Sequence, residues 1–281
     1  MLAIALGLGS GLFWGLADFG GGLQSRRHPV VAVLFVSQAV GLAGLVAVVA
    51  LSGEPAPALD SLWPAAAGGI GGLLALAAFY RGLAIGTMSI VAPISATGSA
   101  VPVIVGLASG ERPSAVQLAG ILAAGVGVVL ASREAPHEDT ARARAGRASI
   151  GLALVAALGF GSFFVGMDRA AHVDVLWAML AARVADAALL LPAALLLRRS
   201  FDIPRTALAP LAAVGILDLT ANGFYAWGTT QGLLSVVAVL GSLYPLATVL
   251  LARAVLGERV RRLQEIGVAS ALAGVVLIAA G

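Results

Sequence analysis

Long apolar runs fill most of this sequence. Runs of about 18 to 25 residues, each able to cross roughly 30 Å of hydrocarbon as a helix, follow one another with only short polar gaps. They do not alternate apolar and polar residues, so they predict helices, whose backbone polar groups are satisfied within one segment. We therefore predict an all-α integral membrane protein with about ten transmembrane helices, near residues 2–22, 30–52, 62–82, 87–108, 114–132, 149–168, 174–197, 207–230, 234–256 and 262–280.

Composition excludes several kinds of site. The chain has no cysteine, which excludes disulfides, thiolate metal sites and cysteine nucleophiles. His28, His137 and His172 lie in loops without metal-ligand spacing, so we expect no metal and no cofactor. No loop carries a basic surface interleaved with aromatic residues, so we expect no nucleic-acid partner. The expected partners are the lipid bilayer and a small molecule. The sequence leaves the choice between monomer and homodimer open.

The two halves of the chain resemble each other. A shift of 146 residues aligns Trp14-Gly15 with Phe160-Gly161, and one further residue aligns GERPSAVQLAG (110–120) with GERVRRLQEIG (257–267). This predicts a first five-helix repeat at 1–132, a cytoplasmic linker at 133–148 and a second five-helix repeat at 149–281. Because five is odd, the second repeat is expected to enter the membrane in the opposite direction, which gives two inverted-topology repeats.

Arginine positions predict the orientation. Twelve loop arginines fall on one side of the predicted membrane, and only Arg112 and Arg169 fall on the other. Loops rich in arginine tend to stay in the cytoplasm, so the linker is expected there and both termini on the opposite side. We expect a multi-pass protein of the inner or plasma membrane of the cell.

Several of these motifs also resemble a known family. The GER segments at 110–112 and 257–259, WG at 14–15, FG at 160–161 and LYPLATVLLARAVLGE at 243–258 resemble the EamA-like branch of the drug/metabolite transporter superfamily. The resemblance covers essentially the whole chain. It implies a secondary transporter rather than an enzyme, with ten helices that move a small metabolite or drug by alternating access. Transport in this family is often efflux and commonly uses exchange or proton coupling.

Opposite charges interrupt the apolar run at 176–196. Arg183 and Asp186 are three residues apart and so lie on one helical face. A charge at this depth is expensive, so both side chains are expected to face the bundle interior or water. Two interpretations remain open: a self-neutralised structural pair, or an arginine that binds an anionic substrate group, with Asp186 or another carboxylate releasing that group.

The run at 207–230 carries a polar stripe. Asp218, Asn222, Tyr225 and Thr229 recur at helical spacing on one face. The stripe is interpreted either as the wall of a substrate cavity or as interhelical hydrogen bonding. Trp227 is a candidate to stack on the substrate or to anchor the helix at the membrane interface.

Two further candidates come from the first run. Trp14 is a candidate substrate-binding residue, and Asp18 follows it one turn later. Asp18, Asp186 and Asp218 are the candidates for proton coupling. For Asp18, the alternative is an interfacial carboxylate in the GLADFGGG segment. The glycine stretch at 68–72 is expected to allow close helix packing.

The loops between the last two helices of each repeat carry one carboxylate each. Glu111 and Glu258 are interpreted either as helix-start groups or as gating contacts. Two other function classes were weighed against transport: an integral-membrane enzyme acting on a lipid, which would cluster its acids at one interface, and a membrane scaffold, which would have no cavity.

Overall fold

The computed structural model describes residues 1–131, 140–196, 203–256 and 262–281. Within these ranges the chain forms α-helices, two short 3-10 helices and loops, with no strand. The first half contains α1 (Leu2–Ser25), α2 (Val30–Ser52), α3 (Trp63–Ile85), α4 (Met88–Ala96), α5 (Ala100–Ala108) and α6 (Ala115–Ala131). The second half contains α7 (Thr140–Ala171), α8 (Val175–Leu196), α9 (Arg205–Thr230), α10 (Leu234–Gly241), α11 (Tyr244–Leu256) and α12 (Arg262–Ala280).

These helices form a membrane-embedded bundle. Eight helical segments are long and apolar enough to cross a bilayer, and a shorter apolar helix covers Ala115–Gly127. Large apolar side chains such as Leu74, Leu122 and Leu158 are more than half exposed on the bundle surface. A soluble protein rarely exposes such a surface, whereas lipid solvates it. The all-helical, multi-pass class predicted from the sequence is confirmed.

Helix α7 is longer than the apolar pattern predicts. It begins at Thr140, inside the segment expected to be a linker. The segment at 141–148 consists of alanine, arginine and one glycine. Alanine and arginine are strong helix formers, so the helix extends into this polar stretch before its apolar part begins.

Two of the apolar runs are broken helices. The 3-10 turn Thr97–Ser99 separates α4 from α5, and residues Ser242 and Leu243 separate α10 from α11. Pro102 lies in the first turn of α5 and Pro245 in the first turn of α11. A proline is tolerated there because its missing N–H would have no partner within the helix. Each interruption is thus followed by a proline in the first turn of the next helix.

Packing between the two halves is reciprocal. Helix α1 packs against α9, and its counterpart α7 packs against α3. Helix α2 packs against α9, and its counterpart α8 packs against α3. Helices α10 and α11 contact α1, just as α4 and α5 contact α7, while α6 and α12 pair with each other. The main packing contacts of one half thus have equivalents in the other half.

Glycines bring these helices close together. A Cβ added at Gly68 would lie 3.2 Å from the Cα of Gly166, so α3 and α7 cross in backbone contact. A Cβ added at Gly69 would lie 2.8 Å from the Cα of Ala182 on α8. The interpretation of the glycine stretch at 68–72 as a packing surface is therefore confirmed.

Candidate functional site

A cavity lies inside the bundle between the two halves. The space open to water-sized molecules in it is about 60 Å³. Its wall is mainly apolar, with five aromatic side chains from three helices: Trp14, Phe160, Phe163, Phe164 and Tyr244. Six polar or charged side chains converge on the same space: Asp18, Gln38, Arg183, Asp186, Asp218 and Asn222. An apolar pocket with a few convergent polar groups is the usual form of a small-molecule site.

Arg183 is the centre of the polar cluster. Its guanidinium donates a hydrogen bond to the Asp218 carboxylate on α9. It also lies 3.8 Å from Oδ2 of Asp186, one turn along α8. Asn222 donates to the same Asp218 oxygen over 3.3 Å. The main partner of Arg183 is therefore on a neighbouring helix, and the pairing along α8 expected from the sequence is the looser of the two.

All of these charges are buried well away from helix ends. Arg183 is 6% exposed, Asp186 7% and Asp218 9%. Charges at such positions persist only when they are paired or face a cavity, and here both conditions hold. Arg183 is therefore ion-paired and also lines the cavity.

The cavity holds more acid than base. Asp18, Asp186 and Asp218 contribute three carboxyl groups, and Arg183 contributes one guanidinium. Within the described part of the chain, no hydrogen-bond or ion-pair partner faces the Asp18 carboxylate. Oδ1 of Asp186 and Oε1 of Gln38 are also buried without a partner. A bound ligand with hydrogen-bond donors could therefore satisfy several acceptors in the cavity.

Asp18 is part of the cavity because α1 continues past it. The helix runs to Ser25, through the glycines at 20–22, so Asp18 lies a full seven residues before its end. A Cβ at Gly21 would overlap the ring of Tyr80, which shows how closely α3 packs here. Asp18 is 5% exposed. The alternative of an interfacial carboxylate in a turn is wrong.

The aromatic wall is built mainly from α7. Phe163 and Phe164 pack around Trp14, with ring centroids 6.3 Å and 5.5 Å from the indole. Phe160 faces Tyr244 with their ring centroids 6.3 Å apart. The Tyr244 hydroxyl is hydrogen-bonded to Ser95 on α4. Tyr244 on α11 thus lines the cavity, and its hydroxyl contacts Ser95 on the other broken helix.

The structure brings six of the sequence-predicted site residues to the cavity: Trp14, Asp18, Arg183, Asp186, Asp218 and Asn222. Two others lie elsewhere. Tyr225 is fully buried behind Phe164 and donates its hydroxyl to the Phe164 carbonyl oxygen over 3.1 Å. Trp227 is 46% exposed in a groove on the outer surface, beside Leu176 and Phe224. Of the polar stripe on α9, only Asp218 and Asn222 therefore line the cavity.

Other lining residues were missed in the sequence. Gln38 is an isolated amide in the second apolar run, and Phe160, Phe163 and Phe164 form an aromatic cluster in the sixth. Gln38 could have been found from the sequence, because an amide within a membrane helix needs a polar neighbour and therefore faces the bundle interior. The phenylalanines carry no such signal, because they are equally compatible with lipid.

Glu111 makes a contact that the sequence does not reveal. Its carboxylate accepts backbone hydrogen bonds from Leu234 over 2.6 Å and from Ser235 over 3.1 Å, the first two residues of α10. Its own helix, α6, is instead capped by a reciprocal pair of hydrogen bonds between Ser114 and Gln117. Glu111 thus caps a half-helix of the opposite repeat, where a carboxylate is favoured by the helix dipole. Glu258 lies outside the described residues.

We expect Glu111→Ala to lower the free energy of unfolding by about 2 kcal/mol, because two charge-assisted capping hydrogen bonds are lost. The measurement is the thermal unfolding of the purified protein in detergent. Glu54→Ala is the matched control, since Glu54 is exposed. Equal unfolding temperatures for the two variants would show that the cap contributes nothing.

The comparisons with known proteins agree with this architecture. A crystal structure of a protein superposes on the chain with a TM-score of 0.74 at 20% sequence identity, covering 98% of this chain and 95% of that one. At this identity the likeness shows the fold alone. No curated protein matches the chain. The EamA-like transporter family, in contrast, matches residues 1–133 and 147–280.

The two matched stretches coincide with the two halves that the internal repeat and the reciprocal packing define. Together they cover nearly all of the chain. The cavity lined by both halves is where a solute carrier would hold its cargo. This multi-pass membrane protein belongs to the EamA-like transporter family.

Proposed function

We propose that the protein is a secondary transporter that moves a small organic solute through the central cavity by alternating access. The observation that carries the proposal is a charged, aromatic-lined cavity between two related halves of a chain whose family is one of transporters. Rocking of one repeat against the other would expose this space to each side of the membrane in turn.

The topology we propose has ten spanning segments. The broken pairs α4–α5 and α10–α11 each count as one span, and α6 and α12 complete the two sets of five. An odd number per repeat inserts the second repeat in the opposite direction, and the reciprocal helix contacts support such a twofold relation. The arginine distribution supports a cytoplasmic linker, and the membrane we propose is the cell membrane.

The imbalance of charge in the cavity supports coupling to protons. Three carboxyl groups face one guanidinium, and an unpaired buried carboxylate is strongly disfavoured. A proton or a cation bound in the cavity would neutralise the excess negative charge. Asp18 shares the cavity with Gln38 on α2, Arg183 and Asp186 on α8, Asp218 and Asn222 on α9, and Tyr244 on α11. Tyr80 on α3 also lies close enough to interact electrostatically with Asp18. An inward proton gradient would then drive the solute out of the cell.

Neither a membrane scaffold nor a lipid-modifying enzyme explains the cavity as well as a transporter does. A scaffold has no need for buried charge around an internal cavity. The acids do gather in three dimensions, as an enzyme would require, although they are dispersed in the sequence. They gather in the middle of the bundle, however, where Asp218 is the fourteenth residue of the 26-residue helix α9. A lipid-modifying enzyme needs its acids at an interface that a headgroup can reach.

Flux through reconstituted protein tests this function. Proteoliposomes loaded with a mixture of radiolabelled amines, amino acids, organic acids, nucleosides and sugars would be given an outside-acid pH gradient. We expect loss of at least one solute faster than from protein-free liposomes and faster than without the gradient. Identical release from both preparations for every solute would overturn the proposal.

A further inference from the structure

Three side chains of the cavity present hydrogen-bond acceptors that have no partner in the described part of the chain. The Asp18 carboxylate has no partner in the described part of the chain, and Oδ1 of Asp186 and Oε1 of Gln38 are buried without one. Asp18 is 5% exposed, and Gln38 and Asp186 are each 7% exposed. These groups come from three different helices and line one space. A ligand that satisfies them must bring hydrogen-bond donors.

The positive charge of the cavity, in contrast, is already engaged. The Arg183 guanidinium is hydrogen-bonded to Asp218 and lies 3.8 Å from Asp186. The amide nitrogen of Asn222 is also directed to Asp218. An anionic solute that approached Arg183 would lie among three acidic groups. This geometry argues against the anionic substrate group that the sequence suggested for Arg183.

The rest of the wall suits a positively charged ligand with an apolar body. Trp14, Phe160, Phe163 and Phe164 line the cavity together with Leu73 and Leu76. Aromatic faces attract cations, tryptophan most strongly, and they also pack against apolar groups. The aromatic and acidic groups lie in the same space, so one ligand can contact both.

We propose that the transported solute is a small organic amine in its protonated form, with an aromatic or aliphatic body. This inference rests on the proposed transport function and names its substrate class. The ammonium group donates hydrogen bonds to Asp18 and Gln38 and replaces the missing positive charge. The aromatic wall holds the body. Entry of the cation into the acidic cluster displaces protons, which couples the solute to the proton gradient.

Matched ligands that differ only in charge test the substrate class. Phenethylamine, cyclohexylamine and tryptamine would each be compared with the carboxylic acid and the alcohol that share its skeleton. Binding to purified wild-type protein would be measured by isothermal titration calorimetry at neutral pH. We expect at least one amine to bind at least about tenfold more tightly than its acid and its alcohol. Tighter binding of the acids, or no amine binding at all, would overturn the proposal.

Single substitutions test the placement of the ammonium group. For an amine that binds, we expect Asp18→Asn and Gln38→Leu each to weaken binding by about tenfold or more. Asp60→Asn is the charge-matched control, because Asp60 is exposed outside the bundle and is expected to leave affinity unchanged. Unchanged amine affinity in both cavity variants would overturn the site.

The outcome of the flux experiment separates this inference from the transport function. Gradient-dependent release of an anion or sugar, with no release of amines, would refute the amine and leave transport intact. The absence of flux for all solutes, despite amine binding to the wild-type protein, would refute transport and leave a binding site for amines.

Discussion

Arg183→Ala is expected to destabilise the protein by about 3–5 kcal/mol and to abolish transport. The substitution leaves Asp218 and Asp186 buried without their only cation within the described part of the cavity. Removing one partner of a buried ion pair is far more harmful than removing both, because the remaining charge is uncompensated. Thermal unfolding in detergent and flux in proteoliposomes measure the two effects.

A second substitution separates loss of charge balance from loss of packing. We expect Arg183→Ala combined with Asp218→Asn to recover part of the lost stability, since the stranded charge is gone. Arg205→Ala is the control, because Arg205 is exposed at the start of α9. An Arg183→Ala variant as stable as the Arg205→Ala variant would contradict the ion-pair network.

Asp18→Asn is expected to leave the protein folded and to uncouple it from the proton gradient. The Asp18 carboxylate has no partner in the described structure, so its neutral isostere removes no stabilising contact. A pH difference of one unit stores about 1.4 kcal/mol per proton and can support a concentration ratio of about 10. We expect wild-type proteoliposomes to approach this ratio and the variant to remain near equality.

The same variant should still exchange solute for solute, because rocking of the repeats does not require proton release. Counterflow with unlabelled solute inside measures that exchange. Asp60→Asn should match the wild type in both assays. Gradient-driven accumulation by Asp18→Asn at the wild-type level would show that another group carries the proton.

Much of the fold can be predicted from the sequence because few backbone structures are stable inside a lipid bilayer. Apolar runs long enough to span the bilayer become helices, and their ends in the structure lie within a few residues of the predicted ones, as for α2 at Val30–Ser52. Charges inside such runs must face inward, which identified Arg183, Asp186 and Asp218 as site residues. The extension of α7 from Thr140 was missed because a polar helix has no apolar periodicity.

The features of the site that the sequence does not reveal depend on how the helices pack. Asp218 is 35 residues from Arg183, and nothing local shows that α8 and α9 bring them together. The same is true of Glu111, whose hydrogen-bond partners on α10 are 123 and 124 residues away. Trp227 and Tyr225 share a helix with Asp218 but turn away from the cavity, because side-chain direction depends on the rotation of α9 against its neighbours.

Cysteine accessibility tests the central claim most directly. The chain has no cysteine, so Leu76→Cys places a single thiol in the cavity wall, and Leu74→Cys places a control on the exposed outer face. A membrane-impermeant thiol reagent would be applied to right-side-out and inside-out vesicles at different pH values. Alternating access predicts that the Leu76→Cys thiol reacts from each side, with opposite pH preferences, while the Leu74→Cys thiol reacts from neither. Reaction of the Leu76→Cys thiol from one side alone at every pH would contradict it.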